Sequence, residues 1–363
     1  FNSSFNQSSG TFNGGTNVMN HSGTFTLSGG TYNATSNNTN LSNSFTHTAG
    51  GTFNHSNGQV TANPNAGVTW DFTGSETFNN FTLSALSNWT LTIPALDTLI
   101  VATTLTLTNG ALSTGTVEAR GNVSVGINFD AGGTANLKFQ NSTVDQSLDF
   151  TTYTGWNTPI TINKASGKVA LANNFTTSAA FTLQSGTFEQ GTFSVTIGGA
   201  FNQSGGTVTA GFNIFDLNSS FTLSGGTFNA TSSTMSVTGA WTHNVGGTFN
   251  HNNSLVLADL TGHSTWDFMG SENFYNFTLS GTSNWILTVT GGKTLVVENT
   301  MTLTNGGFAT GTVEARGNVS AGANFDAGGT ASFKFQNSTA DQNFDLTGYA
   351  GWNTPLTINK ASG

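Results

Sequence analysis

The string TVEARGNVS sets Glu118 and Arg120 two residues apart, and a second occurrence sets Glu314 and Arg316 apart in the same way. Alternation with Val117 and Ala119 predicts that the charged residues share one face of a strand and the apolar residues the other, which makes the charged face the outer one. Such a pair could serve acid–base catalysis or hold a sugar. Recurrence of the whole string favours an ion pair on the wall of a sheet, worth roughly 0–1 kcal/mol when exposed.

Other residue types invite other chemistry. FDAGGTA, beginning at Phe129 and again at Phe325, sets an Asp ahead of two glycines. Calcium takes about six to eight oxygens, and the GGxGxD pattern that supplies them in repeat proteins is missing, so the Asp is read as capping its own turn. His47 and His55 return as His243 and His251. Zinc needs about three or four ligands, and no Cys, His or carboxylate cluster stands near these histidines in sequence, so they are expected to be polar turn residues. His21 becomes Leu217 in the second occurrence and is not a shared ligand.

Glycoside hydrolysis needs two carboxylates about 5–9 Å apart. Asp145 with Asp149 and Asp71 with Glu76 are the pairs closest to that requirement in sequence. Asp149 lies between Leu148 and Phe150 and alternates as an outward strand residue would, and no Asp-Asp, Gly-His-Gly or Arg-x-Lys motif accompanies either pair. No catalytic, cofactor-binding or metal site is therefore predicted, and the chain is not expected to be an enzyme. Sequons at Asn33, Asn80, Asn122, Asn229, Asn276 and Asn318 arise readily in a sequence so rich in Asn, Ser and Thr. The Thr string at 104–108 is of the kind an ice-binding ladder would repeat, but it does not recur at each step.

A repeat must position all of these residues. TWDFTGSETFNNFTLS at Thr69 returns as TWDFMGSENFYNFTLS at Thr265, and GWNTPITINKASG at Gly155 as GWNTPLTINKASG at Gly351, both 196 residues later. Residues 1–167 align with 197–363 without a gap. The predicted organisation is a first full repeat over 1–196 and a second over 197–363, shortened by 29 residues, in one continuous rod.

Inside this long repeat runs a short one: Phe5, Phe25 and Phe45, then Phe181, Phe201, Phe221 and Trp241, each 20 residues after the last. Segments such as FTL and TLTLT alternate apolar with polar residues, Gly-Gly, Asn-Gly and Ser-Gly punctuate them, and no helical stripe is present. A unit this short cannot bury its own apolar side, whereas stacked copies can. The predicted fold is therefore all-β, a parallel β-helix or β-solenoid with rungs of about 20 residues, in which the aromatic residues form internal columns. Phe25 and Leu27 should point inward and Thr26 outward.

The two long copies give a further test. The exchange of Leu148 and Phe150 for Phe344 and Leu346 conserves volume at two inward positions, while the reversal of Asp97 to Lys293 marks an exposed one. Between Trp241 and Met301, and again from FKFQNSTADQNFDL onward, the spacing wanders, so these stretches are expected to project from the stack or to widen it. Neither end of the sequence carries a recognisable cap, which predicts that the rod continues or stacks end to end.

Composition narrows the partners. Charged residues make up 7% of the chain, with 17 acidic against 8 basic residues, a net charge of −9 and no Lys/Arg cluster to follow a phosphate backbone, so nucleic acid is not expected. Thirty Phe and seven Trp supply enough apolar surface to fold, no run is long enough for a membrane-spanning helix, and the absence of Cys removes disulfides and thiolate metal sites.

Runs such as FYNFTLSGTSNWILTVTGGKTLVVENTMTLTNGGFATGTVEARGNVS and TPLTINKASG resemble the repetitive segments of very large secreted bacterial surface proteins of the filamentous-haemagglutinin type. That resemblance spans essentially the whole chain. It implies export, an extracellular or cell-surface location, and a scaffolding or adhesive role. The expected function is a structural segment of a surface filament, with further copies of itself as partner and no cofactor. A carbohydrate-binding adhesin using Trp70, Trp89 and Trp156, with surface glycans as partner, is the alternative, and a polysaccharide-active enzyme the third reading.

Overall fold

The computed structural model describes residues 1–130, 133–151, 153, 155–326, 329–349 and 351–360. The fold is an all-β parallel β-solenoid with coils of about 21 residues, and no helix occurs among the described residues. The chain divides into two compact units: Phe1–Ala179 with Gln184–Thr187, and Ala180–Leu183 with Phe188–Gly363.

In the first unit, a coil is three short strands joined by turns, as in Phe25–Leu27, Gly30–Asn33 and Asn38–Leu41. Each pairs in parallel with its equivalent one coil on, in the registers Phe5↔Phe25↔Phe45, Phe12↔Tyr32↔Phe53 and Met19↔Thr39↔Val60. The sequence forms strands here because alternate residues meet different surroundings. Phe25 and Leu27 are buried while Thr26 lies partly in solvent. Parallel, in-register stacking places like residues over one another, which is why the repeat recurs as identical residue types.

The predicted columns are present. Ring centroids of Phe5 and Phe25 are 5.1 Å apart, those of Phe25 and Phe45 4.9 Å, and Tyr32 stacks between Phe12 and Phe53 at 5.0 and 5.5 Å. In the second unit Phe181, Phe201, Phe221 and Trp241 follow at 5.6, 5.7 and 4.5 Å. Leu148 and Phe150 are both buried, as the exchange between the two copies predicts. Coils approach closely enough that a Cβ on Gly121 would lie 1.5 Å from the Thr103 carbonyl oxygen, and one on Gly317 1.7 Å from that of Asn299. Only glycine fits at these two crossings.

The uneven spacing after Trp241 does not take the chain out of the stack. Registers advance by 21 residues at Phe228↔Phe249 and Met235↔Val256, then by 25 at Trp241↔Trp266. The first unit does the same, with Tyr32↔Phe53 and Asn38↔Gln59 followed by Phe45↔Trp70. The added residues therefore sit in the turns after Ala62 and Leu260, and the strands on either side keep their pairing. The next coil stays wide, advancing by 23 residues at Ser264↔Leu287 and Ser271↔Thr294 and by 24 at Asn276↔Thr300, so the stack is widened over more than one coil.

Candidate functional site

Glu118 corrects the expectation of an exposed ion pair. Within the strand Thr116–Ala119 it is 3% exposed, and Glu314 in Thr312–Ala315 is 4% exposed. The Glu118 carboxylate accepts from Arg120 Nε at 2.6 Å on its own coil, and from Gln140 Nε2 at 2.6 Å and Asn141 Nδ2 at 3.1 and 3.2 Å on the next. Asn141 reaches it from a left-handed backbone conformation, φ 54°. Glu314 repeats the arrangement with Arg316, Gln336 and Asn337. Burial pushes the Glu314 carboxyl up, but the hydrogen bonds from Asn337, Gln336 and Arg316 outweigh it and hold the group below the usual carboxylate range. A carboxylate with every oxygen engaged is a clamp between coils and is poorly placed to act as a base.

The histidines are likewise more than turn residues. His47 Nδ1 meets the Glu76 carboxylate, and His243 Nδ1 meets that of Glu272 at 2.5 Å, with both glutamates buried. The contact to Glu76 pulls the His47 pKa above its ordinary value against desolvation, with help from the Gly51 backbone, and Glu272 does the same for His243. The partners lie 29 residues apart, one coil beyond the reach of local sequence inspection. His55 and His251 do occupy turns, where each Nδ1 accepts the backbone N–H two residues on, from Asn57 and Asn253, at 3.0 Å. His21 is buried and hydrogen-bonded to the Tyr32 hydroxyl at 2.9 Å, and burial lowers its pKa to about 4.

Asp97, expected to be exposed, is 6% exposed. Its carboxylate accepts the backbone N–H groups of Phe72 at 2.7 Å and Gly74 at 3.2 Å, capping the preceding coil. Its counterpart Lys293 is half-buried, so the charge reversal between the copies does not mark an exposed position: a turn carboxylate can fold back onto backbone N–H groups. Sequence inspection also missed Lys164, which is buried and donates to the Val144 carbonyl at 2.9 Å and to Gln146.

The hydrolytic pairs do not assemble. Asp71 faces solvent while Glu76 is buried on His47. Asp145 is exposed and accepts the Lys168 backbone N–H, whereas Asp149 accepts from Thr151 and Asn173. Burial would raise the Asp149 carboxyl, but these hydrogen bonds carry it below its ordinary range. The Asp-Ala-Gly-Gly turns after Phe129 and Phe325 fall partly outside the described residues.

Trp70 and Trp156 are 0% and 1% exposed, their indole N–H groups donating to the Asn43 and Thr158 carbonyls, so neither presents a ring to a sugar. Trp89 is 41% exposed. The sequon residue Asn33 lies in a ladder of amides, accepting from Asn54 and donating to Asn13, both at 2.7 Å. The Thr string at 104–108 is flanked across the coils by Asn80 and Thr82 on one side and Asn122 and Ser124 on the other, and makes no continuous threonine face.

No protein-family model matches this chain, and neither a curated protein nor a solved structure matches it significantly.

Proposed function

We propose that this chain is a structural segment of an extracellular or cell-surface β-solenoid assembly that associates with further copies of itself. The observation that carries the reading is the use made of its polar side chains. Glu118, Glu314, Asp97, the His47–Glu76 and His243–Glu272 contacts and the Asn13–Asn33–Asn54 ladder all tie one coil to the next. Groups that would do chemistry in an open site are spent here on cohesion, which favours a scaffold over a catalyst.

Sedimentation velocity of the 363-residue chain, from about 1 to 100 μM, the range of weak self-association, should show mass rising with concentration. A monomer throughout the range refutes self-association.

A further inference from the structure

The two long copies differ most pointedly around one histidine. In the second unit, Asn250, His251, Asn252, Asn253 and Asn273 line an open groove of about 670 Å³. Tyr275 stacks on the His251 ring at 5.8 Å, and the Glu298 carboxylate lies 3.5 Å from His251 Nε2. The first repeat keeps the histidine, as His55, but has Ser56, Thr77, Asn79 and Ala102 where the second has Asn252, Asn273, Tyr275 and Glu298. Four changes on the same scaffold thus converge on one turn and bring an aromatic ring, a carboxylate and two amides to it. In the first repeat Asn79 merely donates to the Asn57 carbonyl at 2.9 Å.

We propose that this groove binds an uncharged saccharide. Its hydrogen-bonding inventory selects the ligand class. The Asn253 backbone N–H donates to His251 Nδ1, so the neutral ring carries its proton on Nε2, pointing at Glu298. A metal ion would need the Nε2 lone pair, which this tautomer does not have. Asn250 Nδ2 is committed to Asn229 Oδ1 and Asn252 Nδ2 to the Ala230 carbonyl, so both residues present amide oxygens. Glu298 is held only at long range, by Asn273 Nδ2 at 3.4 Å and His251 at 3.5 Å, and has capacity for closer donors.

The rim is therefore rich in acceptors and carries one negative charge, which suits a ligand bearing several hydroxyl donors and disfavours an anion. Asn252 also lines an adjoining groove of about 420 Å³ whose wall includes Phe212, 75% exposed. A sugar ring presents hydroxyls at its edge and C–H bonds on its faces, and the paired grooves offer a partner for each.

Isothermal titration of the full chain with neutral hexasaccharides built on glucose, mannose and N-acetylglucosamine tests this, with n-butylammonium as the cationic probe. At least one hexasaccharide should bind. Glu298→Ala and Tyr275→Asn, which install the residues the first repeat already carries, should each weaken it about tenfold, the loss expected for one charged hydrogen bond or one ring contact, with the thermal midpoint unchanged. Absence of binding to every hexasaccharide, binding that survives both substitutions, or binding of n-butylammonium alone overturns the proposal.

Discussion

His47 and His21 lie in the same unit and respond to pH in opposite senses. The carboxylate of Glu76 raises the His47 pKa above 6.5, so the folded state holds this proton more tightly than the unfolded chain does. The stability it contributes is fully present below pH 6.5 and is lost as pH rises through the raised value, and His243 on Glu272 behaves alike. His21, lowered to about 4 by burial, does the reverse: on acidification below about 6.5 the unfolded chain takes the proton first, and stability falls until pH 4 is passed. Nitrogen-detected NMR of the imidazoles should show His21 titrating near pH 4 and His47 and His243 above 6.5. Glu76→Gln should return His47 towards 6.5 and leave His243 where it is; a His47 titration unmoved by that substitution would mean that the carboxylate does not set it. The raised values of His47 and His243 were not visible in the sequence, because the partner of each arrives 29 residues later. Glu118 was misread for the same reason. Its strand position marked it as outward, and only Gln140 and Asn141 of the next coil fold over it.

At the scale of the coil, the sequence was far more legible, since register and repeat are one fact seen twice. Phe25 recurs at 20-residue intervals because Phe5 and Phe45 stand directly below and above it, and the two-residue alternation that buries Phe25 and Leu27 is a strand's own period. What stayed hidden was the accommodation of the wider coils. Uneven spacing between Trp241 and Met301 was compatible with a projection or a wider coil; the coil is wider. The Trp266 indole, like that of Trp70 in the first unit, lies in the column and donates to a backbone carbonyl of the coil below, that of Gly239 for Trp266 and of Asn43 for Trp70. The column also fixes the cost of disturbing it. Phe25 touches Phe5, Tyr32 and Phe45 at ring distances of 4.8 to 5.1 Å. Phe25→Leu should cost about 1–2 kcal/mol for lost contact, whereas Phe25→Asp at about pH 8, where the neighbouring His21 ring at 5.1 Å is neutral, buries a carboxylate among aromatic rings and should cost more than about 4 kcal/mol. Urea unfolding of the two variants measures the difference, and equal midpoints would show that Phe25 does not lie in a closed column.

Across the whole molecule the cohesive interactions are short-ranged. With 25 charged residues in 363, long-range electrostatics has little to act through, and each coil is held by aromatic and amide contacts to the coils immediately beside it. Stability in such an array is approximately a sum of coil terms and nearest-neighbour terms, so damage should spread by adjacency. Phe221 provides the test. Its ring lies 5.7 Å from Phe201 and 4.5 Å from Trp241 in the second unit, so Phe221→Asp introduces an unpaired charge that both neighbours must share. Native-state hydrogen exchange should then show protection falling by at least about a hundredfold, the equivalent of ~2.7 kcal/mol, at Phe201–Thr209 and Trp241–His243. The amides of Phe25–Leu27 and Phe45–His47, in the first unit, should retain wild-type protection. Equal loss in both units would show instead that the chain unfolds as a single cooperative body and that coil-by-coil additivity does not describe it.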